Sequence, residues 1–199
     1  LPAKFAAMFF ASASAATLAA PPAMPELPVA HGAGMSLKKD SLGDETPAGP
    51  LLATLVQVHT GEHMVLDTES PSQERFDALL GDRVTGATHP LDERLLLLLR
   101  ALAATHTGSR IELVSGYRSE KLNEMLRKKG HHVSSHSQHS LGRACDFRII
   151  PPGQEMAIDP RAVQAEIRAL GWDGGVGVYP TRDDWFVHAD VGRNRSWVN

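Results

Sequence analysis

From about Leu52 onward, polar and apolar positions fall into short alternating and helical stretches. Leu52 to Val58 and His63 to Asp67 alternate as two strands, and Thr60-Gly61-Glu62 between them predicts a hairpin turn. Ser72 to Leu80 reads as a short helix. Asp92 to Ala104 is a stronger one, with Asp92 as cap, Glu93 in the first turn and a dense apolar run, Leu95 to Leu99, that belongs in a core. Arg110 to Val114 alternates as a strand. Ser119 then caps a helix over Glu120 to Lys129, which Gly130 ends and which carries Arg127, Lys128 and Lys129 in its last turn. Ala144 to Ile150 is a further strand. Asp159 and Pro160 open a helix that ends at Gly171, with Val163, Ile167 and Leu170 on one face. Gly174 to Tyr179 is a glycine-rich entry into a strand. A phosphate loop would need a helix next, and Pro180 follows instead, so these glycines are expected to let the backbone lie close to a substrate or a neighbouring strand. In Trp185 to Asp190, alternation puts Phe186, His188 and Asp190 on one face. Trp197 is expected to anchor the end of the domain by packing. Together these elements predict an α+β fold: a small antiparallel sheet flanked by helices.

The first residues differ from this pattern. Lys4 precedes a short apolar run and then small residues up to Ala20, as in a secretory signal, so residues 1–20 are expected to direct export. That run is too short to span a bilayer comfortably, and no acylatable cysteine follows it. Residues 21–50 are rich in Pro, Gly, Ala and Ser and read as a linker. Residues 51–199 are expected to form one domain, since 199 residues with 42% hydrophobic content support a single core. A net charge of −3 gives no global sign of nucleic-acid binding. With one cysteine, Cys145, no intramolecular disulfide can form, and alternation makes it a small buried hydrophobe on the face opposite Asp146.

His139 and Asp146 carry the candidate chemistry. They lie seven positions apart, with a bend expected at Gly142 between a loop and a strand. A neutral imidazole and a carboxylate suit zinc, and a catalytic zinc takes three protein ligands. His188, in mid-strand, is the third candidate. Alone it would read as a satisfied core histidine; with the other two it reads as a ligand. Arg118 sits at a strand-to-helix corner, where it could face a cleft or close a structural salt bridge. His131, His132 and His136 crowd the loop before His139, and His59 and Glu62 fit a surface turn. A Ser137-His139-Asp146 triad lacks a nucleophile elbow.

Ser137-x-His139-x-x-Gly142-x-Ala144-x-Asp146, preceded by Ser115-Gly116-Tyr117-Arg118-Ser119 and followed by the strand histidine His188, resembles the zinc D-Ala-D-Ala peptidases, whose fold is shared with the hedgehog signalling domain. His59-Thr60-Gly61-Glu62, Gly174 to Pro180 and Phe186 to Arg193 bring it closer to the exported bacterial murein endopeptidases. The resemblance runs from about Leu52 to Trp197. It implies a hedgehog/D,D-peptidase-like fold and a Zn2+ ion on His139, Asp146 and His188, in a periplasmic or otherwise exported protein. The expected substrate is a peptidoglycan stem peptide, cut at a crosslink involving D-alanine or diaminopimelate. Neither nucleic acid nor stable membrane insertion after signal cleavage is expected. In that reading zinc activates water and polarises the scissile carbonyl, Arg118 steadies the oxyanion, and Arg118, Tyr117 and Ser137 contact substrate. Many relatives place their general base three residues before the last ligand as an acid, or two before it as a histidine. Here those positions hold Trp185 and Phe186, which leaves Asp183, Asp184, Asp190 or His136, with Asp190 alternatively orienting an imidazole. Two other classes stay open: a non-catalytic peptidoglycan-binding module, zinc-stabilised or metal-free, and a D,D- or L,D-carboxypeptidase.

Overall fold

The computed structural model describes residues 49–129 and 137–199. The expected signal and linker therefore lie outside the described residues, save for the linker's last two positions. His131, His132 and His136 lie outside them as well. Strands β1 (Ala53–Gln57) and β2 (His63–Leu66) pair antiparallel around the turn at Gly61. Helices α1 (Gln73–Leu79) and α2 (Glu93–Thr105) follow, capped by Ser72 and Asp92. Then come β3 (Ser109–Ser115), α3 (Glu120–Lys128), a 3-10 turn at Gln138–Leu141 and β4 (Ala144–Ile150). The chain ends with α4 (Pro160–Ala169), β5 (Gly175–Pro180), β6 (Trp185–Asp190) and β7 (Arg195–Val198).

The fold is α+β, as expected, but the sheet is neither small nor purely antiparallel. It has seven strands in the order β2-β1-β3-β4-β6-β5-β7. The pairs β1/β3 and β5/β7 are parallel. The chain leaves β1, folds back as β2 and crosses through α1 and α2, so β3 enters beside β1 in the same direction. The expectation of antiparallel pairing holds in the middle, where β4 lies against β3 and β6.

The sheet has one face in the core. Cys145, Phe147 and Ile149 of β4 pack there with Val187 and Ala189 of β6 and with Leu95, Leu99 and Leu102 of α2. Val163 and Ile167 of α4 complete this layer. The Leu95 to Leu99 run is therefore core, as its density required, although Leu97 points outward. Burying such side chains contributes about 1.5–3 kcal/mol each. Because side chains alternate along a strand, Asp146 and His188 must emerge on the opposite face. No helix among the described residues is long and apolar enough to cross a membrane.

Candidate active site

The site is one row of residues across five strands, β3, β4, β6, β5 and β7. Asp146 pairs with Ser115 on one side and His188 on the other, and His188 in turn faces Gly177. Gly177 also pairs with Trp197 of β7. A Cβ at Gly177 would run into the Trp197 ring. The missing side chain is what allows the indole to lie over β5 and meet the His188 ring, with ring centroids 5.3 Å apart.

His139 reaches the same point from the 3-10 turn. That turn ends at Gly142, whose φ of 65° is a left-handed conformation glycine adopts without strain. A Cβ there would also meet the Pro90 carbonyl and His89. The Ser115-to-Ser119 corner is held from the other side. Tyr117 N–H donates to the Leu80 carbonyl at 2.9 Å, and a Cβ at Gly116 would collide with Leu80.

Three acceptor atoms converge. His139 Nδ1 lies 2.7 Å from the Gly116 carbonyl, which can only accept, so Nδ1 carries the proton and Nε2 presents a lone pair. His188 Nε2 lies 3.0 Å from Asp190 Oδ2, which holds a proton on Nε2 and so leaves Nδ1 free to turn a lone pair toward a cation bound at the cluster. His139 Nε2 and His188 Nδ1 are 3.1 Å apart, and they stand 3.2 and 2.8 Å from Asp146 Oδ1. All three residues are buried, with His188 the most open at 8% exposure. Lone pairs packed this closely, away from water, repel unless a cation sits among them. The spacing suits a metal, because tetrahedral zinc ligands about 2 Å from the ion stand about 3.3 Å from each other. His139, Asp146 and His188 are the one such metal-competent cluster among the described residues.

Charge around the cluster is balanced. Burial works against ionising Asp146, but His139 and the Arg118 guanidinium outweigh it and hold the carboxyl well below the usual range. Burial, then the Arg118 charge, push His139 down to about 4, so it is neutral near pH 7. Burial also opposes charge on His188, but Asp146 and Asp190 on either side prevail and raise its pKa. Arg118 pairs with Asp146 Oδ2 and donates from Nε to Ser115 Oγ at 2.7 Å. It thus makes the salt bridge at the corner, and it also lines the cleft.

That cleft, of about 770 Å³, opens over the cluster. Ser137 lines it, as do Asp183 and Asp184 at the β5–β6 turn. Tyr117 is not part of its wall: the ring stacks on His89 at 4.8 Å and packs against the core. Asp190 is fully buried behind His188, on the side away from the cluster, where Gly192 N–H and Arg195 Nη2 each donate to it at 2.8 Å. Cys145 is buried on the core face, and burial raises its thiol pKa.

Several residues at the cleft were not expected there from the sequence. His59 and Arg83 line the cleft 2.9 Å apart, and burial, then the Arg83 charge, lower the His59 pKa. Asp82 accepts from Val84, Thr85 and Ser119 N–H, which fixes the helix cap beside Arg118. Arg195 sits in a four-residue strand too short to show alternation.

Known proteins are similar to this chain in sequence. Peptidoglycan L,D-endopeptidase MepK of Escherichia coli K12 is 33% identical over 156 residues, covering 74% of this chain and 80% of that protein. A probable peptidoglycan L,D-endopeptidase MepK of Haemophilus influenzae is 32% identical over 157 residues, covering 74% and 79%. No solved structure matches the chain. The family model described as peptidoglycan L,D-endopeptidase MepK matches residues 47–197, the stretch that carries the sheet but for the last residue of β7 and all three members of the cluster, and the chain belongs to that family, peptidase M15_2.

Proposed function

We propose that this protein is a zinc-dependent murein endopeptidase that hydrolyses peptide crosslinks of peptidoglycan, and that the bond it cuts is an L,D bond. The observation that carries the metal reading is the convergence of three buried acceptor atoms on one point beneath an open cleft. The substrate reading rests on the names of its relatives, about a third identical over most of their length.

In this reading His139, Asp146 and His188 hold the ion. When bound, zinc supplies Lewis acidity, which activates water near neutral pH and polarises the scissile carbonyl. The chain's own residues do the rest. Gly116 and Asp190 fix the two imidazole tautomers so that lone pairs face inward. Arg118 keeps Asp146 ionised. Two of its five N–H groups are taken, by Ser115 and Asp146, and we assign the others to the substrate carbonyl as negative charge develops. Ser137 at the cleft wall contacts the peptide. Asp183 and Asp184 are the acids lining the cleft besides Asp146 among the described residues, and we assign the general base to one of them. The sequence pattern supports an exported protein with a signal in residues 1–20, a linker over 21–50 and the peptidase domain over 51–199.

The test uses defined crosslinked muropeptides, one set joined by an L,D bond and one by a D,D bond, with mass spectrometry of the products. Cleavage of the L,D set, lost with a chelator, supports the assignment. Cleavage of the D,D set alone refutes the bond specificity. Release of a terminal residue with crosslinks intact points to a carboxypeptidase. Zinc uptake with no product from either set points to a binding module.

A further inference from the structure

Strands β5 and β7 match each other residue for residue. Gly175 and Gly177 of β5 pair with Arg195 and Trp197 of β7, and on their other side with Asp190 and His188 of β6. Each glycine therefore stands between a β7 side chain and a β6 side chain of the site. A Cβ at Gly175 would strike the Asp190 carboxylate, just as one at Gly177 would strike the Trp197 ring. The two glycines open windows through which β7 touches the residues on β6.

Through the Gly175 window, Arg195 Nη2 donates to Asp190 Oδ2 at 2.8 Å. The same Oδ2 receives His188 Nε2–H at 3.0 Å. Asp190 has no exposed surface, so Arg195 is the cation that compensates its buried charge. Arg195 is itself held in place. Its Cζ lies 5.0 Å from the Trp197 ring centroid. Arg168 of α4 donates to the Arg195 carbonyl at 2.6 Å and to Ser196 Oγ at 3.0 Å, and its Nη1 binds the carbonyls of Trp172 and Gly174 at 2.8 and 2.9 Å. A chain of contacts thus runs from α4 through β7 to the imidazole.

We propose that Arg195 is a positioning residue for the metal centre: acting through Asp190, it fixes the tautomer and ring orientation of His188, so that the C-terminal strand β7 belongs to the metal site although it supplies no ligand. This rests on the reading of His139, Asp146 and His188 as metal ligands. Outer partners of a ligating histidine are worth about 10–100-fold in metal affinity.

The experiment measures zinc affinity by chelator competition, without substrate, for the wild-type chain, Arg195→Gln, Arg195→Lys and Gly175→Ala. Long-range proton–nitrogen NMR of the metal-stripped protein reports the His188 tautomer in the same four proteins. Expected are one tight zinc in the wild type, about 10-fold or greater weakening in Arg195→Gln and Gly175→Ala, and partial recovery in Arg195→Lys. The His188 Nε2–H signal should be sharp in the wild type and exchange-broadened in Arg195→Gln. If the wild type binds one zinc, and Arg195→Gln binds it equally well with an unchanged His188 signal, the proposal is overturned. If the wild type takes up no zinc, the metal reading fails, and the tautomer signal still decides whether Arg195 governs His188. Should Arg195→Gln fail to fold by circular dichroism, the comparison of Arg195→Lys with Gly175→Ala carries the test, and unchanged affinity in both overturns it.

Discussion

Replacing Asp82 by asparagine tests how the corner bearing Arg118 is held. Asp82 is 1% exposed, and its two oxygens accept three backbone N–H groups: Oδ1 from Val84 at 2.7 Å and Thr85 at 2.8 Å, Oδ2 from Ser119 at 2.6 Å. Burial by itself would raise its pKa. The hydrogen bonds from Ser119, Thr85 and Val84 outweigh that and bring it down from 3.8 to about 2. A folded pKa below the unfolded one means the ionised group stabilises the fold above pH 3.8, and that this stability is lost as pH falls toward 2. A shift of nearly two units at about 1.4 kcal/mol per unit gives about 2 kcal/mol. In Asp82→Asn the amide nitrogen either faces the Ser119 N–H or takes the place of the oxygen that serves Val84 and Thr85. Urea unfolding of both proteins between pH 7 and pH 2.5 measures the difference. It should be about 2 kcal/mol from pH 7 to pH 5 and should shrink steadily below pH 4. A constant difference down to pH 2.5, or none at pH 7, refutes the argument. Catalysis should fall as well, because Ser119 caps α3 directly after Arg118.

Other outcomes follow from the same geometry. Gly177→Ala forces the Trp197 ring off its seat and should cost about 1–3 kcal/mol in thermal or urea melts, together with weaker zinc binding in a chelator competition. Asp183→Asn and Asp184→Asn, made singly, should separate the general base from its neighbour: one should lose about 100-fold or more in kcat on a crosslinked muropeptide while both keep wild-type zinc affinity. Cys145 should resist alkylation in the native protein and react after unfolding, since the thiol is buried and its pKa is raised; rapid native labelling seen by mass spectrometry contradicts this.

Much of this fold was legible because local chemistry dictated it. The caps at Ser72, Asp92, Ser119 and Asp159 each bond a backbone N–H of the first turn, as their residue types require. Alternation in β6 placed His188 and Asp190 on one face and Val187 and Ala189 in the core. The three converging residues were legible as well, because a histidine in an apolar strand needs a reason and the motif supplied two partners. Long-range pairing was not. The parallel pairing of β1 with β3 brings together residues more than fifty positions apart, and nothing in either strand names its partner. The same holds for β7, whose four residues gain meaning only beside the glycines of β5. Tyr117 shows the reverse case. Its place in the motif suggested a substrate contact, yet the backbone turn around Gly116 sends its ring to His89. The salt bridge from Arg118 to Asp146 joins residues that sequence reasoning named separately and did not link.

The most direct test of the metal-dependent murein endopeptidase is a zinc titration of the metal-stripped protein, with digestion of purified crosslinked murein sacculi followed at each point. Loss of crosslinked muropeptides should rise from near zero and level off at one zinc per chain, and His139→Ala should show neither the uptake nor the digestion. Full digestion by the metal-stripped protein, or by His139→Ala, would contradict the account.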